Sequence, residues 1–257
     1  MRDHLQQHIK PLMETHPALG PVLEAAGIGC TTCSLGTCRV QDILEIHNLD
    51  TDATRSLLQA MGAVIHEGRP FEVPDLPRKA APTKAALCPP IARMVEEHTY
   101  ILRVVASLPA LGLKLQQEFE TALPLARRTL DFIRTYADRY HHAKEEDLLF
   151  TLHATDSDVL GVFRQDHTEG RGFVAAATAA LDARDPEAAQ RALAAYGALL
   201  AGHIQREDTI LFPWLDRCLT DRQVGQLFQS CAAVEQTFGD LPARMEAFVG
   251  ELEAALA

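Results

Sequence analysis

The 257-residue sequence has no uninterrupted apolar run of the roughly 18 residues that a membrane-crossing helix needs. Its first residues, Met1-Arg2-Asp3-His4, lack the apolar core of a signal peptide. The expectation from both absences is a cytoplasmic protein with no membrane association. Positive charge is also short: 24 Lys and Arg stand against 35 Asp and Glu, and a formal charge of −11 repels phosphate backbones and argues against a nucleic-acid partner. No stretch alternates apolar and polar residues for a useful strand length, which removes the sheet classes and leaves an all-α protein.

Proline is unevenly spread. Six of fourteen (70, 74, 77, 82, 89 and 90) lie between Arg69 and Pro90, where their density blocks helix interiors and favours an extended backbone. The expected organisation is a small helical domain at 1–66, a proline-rich linker at 67–89 and a larger helical domain at 90–257. Short helices are predicted at Ile9 to Thr15, Leu19 to Ala26, Val40 to His47 and Thr51 to Met61. Between the second and third lies Gly27-Ile28-Gly29-Cys30-Thr31-Thr32-Cys33-Ser34-Leu35-Gly36-Thr37-Cys38, a loop presenting three of the six cysteines. Such a cluster in a reducing compartment points to metal or redox chemistry. Cys30 and Cys33 suit a thiol–disulfide couple, and the three cysteines, with or without His47, suit zinc or an iron–sulfur cluster. The competing reading is small buried cysteines, the role expected for Cys88, Cys218 and Cys231.

Beyond Pro90, apolar residues recur at three- and four-residue intervals. They predict helices at about 90–115, 118–153, 157–183, 186–215 and 220–255, with breaks at Gly112, Thr155–Asp158, Asp185-Pro186 and Pro213 to Thr220-Asp221. Pro109 and Pro124 are expected to shorten or kink two of these spans. Short connections give an up-down-up-down four-helix bundle with an extra C-terminal helix.

Two segments of that bundle repeat each other. His141-His142-Ala143-Lys144-Glu145-Glu146-Asp147-Leu148-Leu149-Phe150 aligns with His203-Ile204-Gln205-Arg206-Glu207-Asp208-Thr209-Ile210-Leu211-Phe212: a His, a Glu four residues on, and the same Leu-Phe tail. Four residues is just over one helical turn, so each His and Glu share a face. His98 lies about eight residues after its helix begins, His141 about twelve before its helix ends, His167 about ten after a start and His203 about twelve before an end. In an antiparallel bundle all four fall at nearly one height. A lone HxxxE pair is ordinarily a surface ion pair, but two in register with two matching single histidines describe a shared centre. Four imidazoles and two carboxylates in a core need compensation for lost hydration, and a pair of metal ions (iron, manganese or zinc) provides it. No His has Glu three residues before it, and HExxH is absent, which excludes the ferritin and zinc-protease patterns. His142 and Glu146 form an alternative pair with the same spacing. Register with the second segment favours His141 and Glu145 and leaves the other two in supporting or solvent-facing positions. His153 is expected to be exposed. Phe132, Tyr136, Phe173 and Trp214 are expected to pack in the core, and Tyr196 is the aromatic residue best placed to face the metals.

These motifs (Glu97-His98, His141 to Phe150, His167-x-x-Gly170-Arg171, His203-x-x-x-Glu207 and Leu211-Phe212-Pro213) make residues 89–215 resemble the hemerythrin family, in its bacterial HHE cation-binding branch. The resemblance implies two iron ions with an oxo or hydroxo bridge, Glu145 and Glu207 as bridging ligands, and His98, His141, His167 and His203 as terminal ligands. Oxygen-carrying hemerythrins have a second His where Arg171 stands. That departure implies an open or water-filled ligand position and favours reactivity over oxygen storage. Residues 8–62, with His16-Pro17 and Gly27-Ile28-Gly29-Cys30-x-x-Cys33, resemble the small helical domain of iron–sulfur cluster repair and hybrid-cluster-associated proteins. Together the two resemblances imply a protein that handles nitric oxide, dioxygen or peroxide, with iron–sulfur proteins as partners in cluster repair. A sensor without turnover and an iron-homeostasis protein are the alternatives.

Overall fold

The structure, a computed structural model, describes residues 1–28, 38–78, 80, 86–153 and 158–257. Cys30 and Cys33, most of their loop, the linker around Pro82 and the break at Thr155 to Ser157 lie outside the described residues. The chain divides into two compact units, one of Met1–Ala85 with Asp156–Val162 and the other of Ala86–Thr155 with Phe163–Ala257. The described residues are mostly helical and form no strand, so the protein is all-α.

The first unit contains α1 (Ile9–Thr15), α2 (Leu19–Ala25), α3 (Val40–Ile46) and α4 (Thr51–Ile65). Leu19, Leu23, Ile43, Leu44, Leu58 and Met61 are fully buried, and Cys38 is also buried. Asp50 caps α4 by accepting from the Ala53 amide at 2.8 Å. The proline-rich stretch that follows is extended and bonded to the same unit. The Thr51 amide donates to the Arg78 carbonyl and the Arg78 amide to Thr51 Oγ1. Phe71 stacks on His66 at 5.1 Å, over Gly62, where a Cβ would meet the Phe71 ring at 2.2 Å.

The second unit is built on α5 (Pro89–Gln117), α6 (Phe119–Phe132), α7 (Asp158–Asp182) from Phe163 onward and α8 (Pro186–Arg206), followed by α9 (Phe212–Cys218), α10 (Asp221–Phe238) and α11 (Leu241–Leu256). Prolines at the first positions of α5 and α8 supply a preset φ where no amide donor is needed, and Asp185 caps α8 through the Ala188 amide. The apolar stripe Ile101, Val104, Leu108, Leu111 and Leu115 of α5 packs with Ala126 and Leu130 of α6 and Leu193, Leu200 and Ile204 of α8. Pro109 and Pro124 lie inside α5 and α6, which continue past them.

Three features depart from the sequence reading. Gly112, the expected break, lies inside α5, which continues to Gln117. The fifth helix is two, because Gly239 takes φ 57° and Pro242 follows at the start of α11. In addition, α6 runs on through π-helical turns at Ile133–His142 and Glu145–Leu149, and α8 runs on through Glu207–Leu211 into α9. Wider turns of this kind concentrate where side chains must be re-aimed toward a site. Here they fall on both HxxxE segments.

Candidate metal centre

His98 of α5, His141 and Glu145 of the α6 extension, His167 of α7, and His203 and Glu207 of α8 and its extension are all buried in the bundle. Their inward atoms meet. His98 Nε2 lies 3.3 Å from Glu207 Oε2, and His141 Nε2 lies 3.4 Å from Glu145 Oε1. His167 Nε2 lies 3.4 Å from Glu145 Oε2, His203 Nε2 3.1 Å from Glu207 Oε1, and the two Nε2 atoms of His167 and His203 are 2.9 Å apart. Two groups of donors result, each within 4.8 Å: His98, His141, Glu145 and Glu207, and His142, Glu145, His167 and His203. Glu145 belongs to both.

The outward nitrogens are held just as specifically. Glu97 of α5 bonds His141 Nδ1 at 2.8 Å, Glu146 of the α6 extension bonds His167 Nδ1 at 2.7 Å, Asp166 of α7 bonds His203 Nδ1 at 3.1 Å, and Asp208 beyond α8 bonds His98 Nδ1 at 2.7 Å. Each helix thus lends an acid to the histidine of the next, and the ring closes on itself. A carboxylate on Nδ1 fixes the imidazole's tautomer and aims Nε2 inward, the arrangement that supports metal-bound histidines. Cations neutralise three of the outer acids. Lys144, almost wholly buried, pairs with Glu97 beneath the Tyr140 ring, Arg206 pairs with Asp166, and Arg171 bridges Asp138 and Glu146.

The inner atoms have no such partners. His98 Nε2, His141 Nε2 and all four carboxylate oxygens of Glu145 and Glu207 are buried without a hydrogen bond among the described residues. Buried polar groups left in that condition are costly, and cations among them remove the cost. The donor set therefore fits metal ions, and its mixture of imidazole and carboxylate suits iron, manganese or zinc. Without them, protons serve as counter-ions. Burial opposes a charge on His98, but Asp208, Glu207 and Glu145 outweigh it and push its pKa up to about 10. His203 is likewise raised against burial, to about 9, by Glu207 and Asp166. Burial opposes ionisation of Glu97, yet His141 and Lys144 bring it down to about 2. His142 is driven well below its ordinary value by burial and by the crowding of the His167, His141 and His203 imidazoles around it.

The sequence reading is altered at several residues. His142 is inside the cluster rather than in a supporting or solvent-facing position, and it stacks on His167 at 3.9 Å. Arg171 bonds Asp138 and Glu146 through its guanidinium, and His142 stands among the donors with Glu145, His167 and His203. His153 is half-buried against Trp214, not exposed. Cys218 is exposed rather than packed, whereas Cys88 and Cys231 are buried. Tyr196 shares a cavity wall with His142 and His167. Glu146 takes the supporting position expected of it; the other three acids carry no signal beyond adjoining a candidate ligand in sequence, in Glu97-His98, Asp166-His167 and Glu207-Asp208.

Residues 89–215 match the hemerythrin HHE cation-binding domain. The HHE match covers just under half of the chain. Among curated proteins, uncharacterized protein Rv1995 of Mycobacterium tuberculosis and uncharacterized protein Mb2018 of Mycobacterium bovis are each 30% identical over 131 residues, 48% of this chain and 51% of the relative. The chain therefore aligns with about half the length of those relatives. No solved structure matches it. No helix among the described residues is long and apolar enough to cross a membrane.

Proposed function

We propose that the HHE bundle holds two iron ions and that this centre reacts with dioxygen, nitric oxide or peroxide. One ion would lie among His98, His141, Glu145 and Glu207, the other among His142, Glu145, His167 and His203, with Glu145 shared and Glu207 within reach of both. The observation that carries this reading is the closed ring of carboxylate-backed imidazoles around six unpartnered inner atoms. Iron there would supply one electron per ion to a bound oxidant. The chain's own residues orient the donors, exclude bulk water from Glu145 and Glu207, and hold the imidazole tautomers through Glu97, Glu146, Asp166 and Asp208. Because His98 and His203 are held protonated when metal-free, loading iron releases protons to solvent.

The test is anaerobic purification, metal analysis and absorption spectra after addition of each oxidant. The reading expects two irons per chain and a spectral change that His203→Ala abolishes. Iron-sulfur cluster repair is the narrower version, with Cys30 and Cys33 supplying thiols. It predicts restored activity of an oxidised iron-sulfur enzyme, and no gain over the His203→Ala protein rejects it.

A further inference from the structure

Beside the cluster lies a half-open cavity of about 220 Å³, lined by His142 and His167 of the cluster, by Gly170, Tyr196, Ile133 and Val174, and by the charged side chains of Arg134, Asp138, Asp166 and Arg171. Its volume is on the order of seven waters and exceeds the ~150 Å³ that accommodates benzene in an apolar core. Dioxygen, nitric oxide and hydrogen peroxide leave most of it unfilled. Ile133, Val174 and Leu200 give it buried hydrocarbon surface, and the Tyr196 hydroxyl is buried with no hydrogen-bond partner among the described residues. The Tyr196 ring lies 3.6 Å from where a Cβ on Gly170 would sit, one turn along α7 from His167. A buried hydroxyl of this kind favours a ligand that bonds to it.

We propose that the cavity binds an apolar molecule of about six to ten non-hydrogen atoms with a single O–H head, an organic hydroperoxide or the corresponding alcohol. The head lies at His142, His167 and Tyr196, and the tail lies along Ile133 and Val174. Binding of the tail rests on the cavity alone; reaction of the head rests on the metal centre proposed above.

The experiment is calorimetric titration of the full chain, with and without iron, using linear alcohols from 1-butanol to 1-octanol. Affinity should rise roughly fourfold for each methylene buried until the cavity is full, in both forms of the protein. Gly170→Leu places a side chain in the cavity and should flatten that rise, with Gly170→Ala as the milder control. Tyr196→Phe should weaken every alcohol by roughly three- to tenfold and leave the chain-length dependence intact. Affinity independent of chain length, or a Gly170→Leu protein that binds as the parent does, overturns the proposal. Length-dependent binding in a protein that takes up no iron upholds the cavity and rejects the metal reading, so the two fail separately.

Discussion

Replacing Lys144 with Met tests how the outer acids are held. The ammonium is buried, lies 3.7 Å over the Tyr140 ring and pairs with Glu97, whose second oxygen bonds His141 Nδ1. Met keeps most of the volume and removes the charge, leaving the Glu97 carboxylate buried with His141 and, at 3.8 Å, Arg93. Breaking a buried pair by deleting one partner costs about 3–5 kcal/mol. In a unit of this size 1 kcal/mol corresponds to roughly 2–4 °C, so the melting temperature of the metal-free protein, followed by circular dichroism, should fall by about 6–20 °C. Glu97→Gln alone should also destabilise, by leaving Lys144 without its carboxylate. The double variant should cost less than the two single effects combined, with a coupling of at least about 1 kcal/mol. A Lys144→Met loss no larger than the ~0.5 kcal/mol of a surface change, or strict additivity, would refute the claim that this buried cation is what allows Glu97 to stay ionised behind His141.

Asp208→Asn removes the charge behind His98 from a partly exposed position, so the fold should survive while iron affinity, measured by competition with a chelator, falls about 10–100-fold. His142→Ala removes a donor from one group only and should leave a protein that retains one ion far more tightly than the second, as read by metal titration. The pH dependence of metal-free stability follows from opposite shifts. His98 and His203 are raised from 6.5 to about 10 and about 9, so their contribution is complete below pH 6.5 and is lost as pH rises through 9 to 10. Glu97 and Glu146 are depressed from 4.5 to about 2, so theirs is present above pH 4.5 and is lost as pH falls toward 2. His142 has the opposite sign, because burial keeps it neutral in the fold and costs stability as pH falls below 6.5; denaturant titrations should therefore place the stability maximum near pH 6.5 without metal, and a metal-free protein more stable at pH 9 than at pH 6 would contradict this origin of the shifts.

The bundle and its centre were legible because each rests on a regular helical period. HxxxE puts two donors on one face, and antiparallel neighbours bring His98 and His167 to the height of His141 and His203. What escaped depends on departures from that period. His142 follows His141 by one residue, about 100° around an α-helix, and so was set aside. The π-helical turns through Ile133–His142 narrow that angular step and let both rings face inward. Glu97, Asp166 and Asp208 escape because each serves a histidine on another helix, and adjacency in sequence does not show which. The fifth helix was read as continuous because its apolar spacing resumes after Gly239, whereas the positive φ at that residue breaks it. His153 was read as polar and exposed, and its packing against Trp214, 61 positions away, leaves no local signal.

The most direct test of the account is Mössbauer spectroscopy on anaerobically purified, iron-57-loaded protein, together with a metal count per chain. A coupled two-iron signal at two ions per chain is the predicted result. A single uncoupled iron, or no iron retained by a folded protein, would contradict the proposal that this ring of histidines and glutamates surrounds a pair of metal ions.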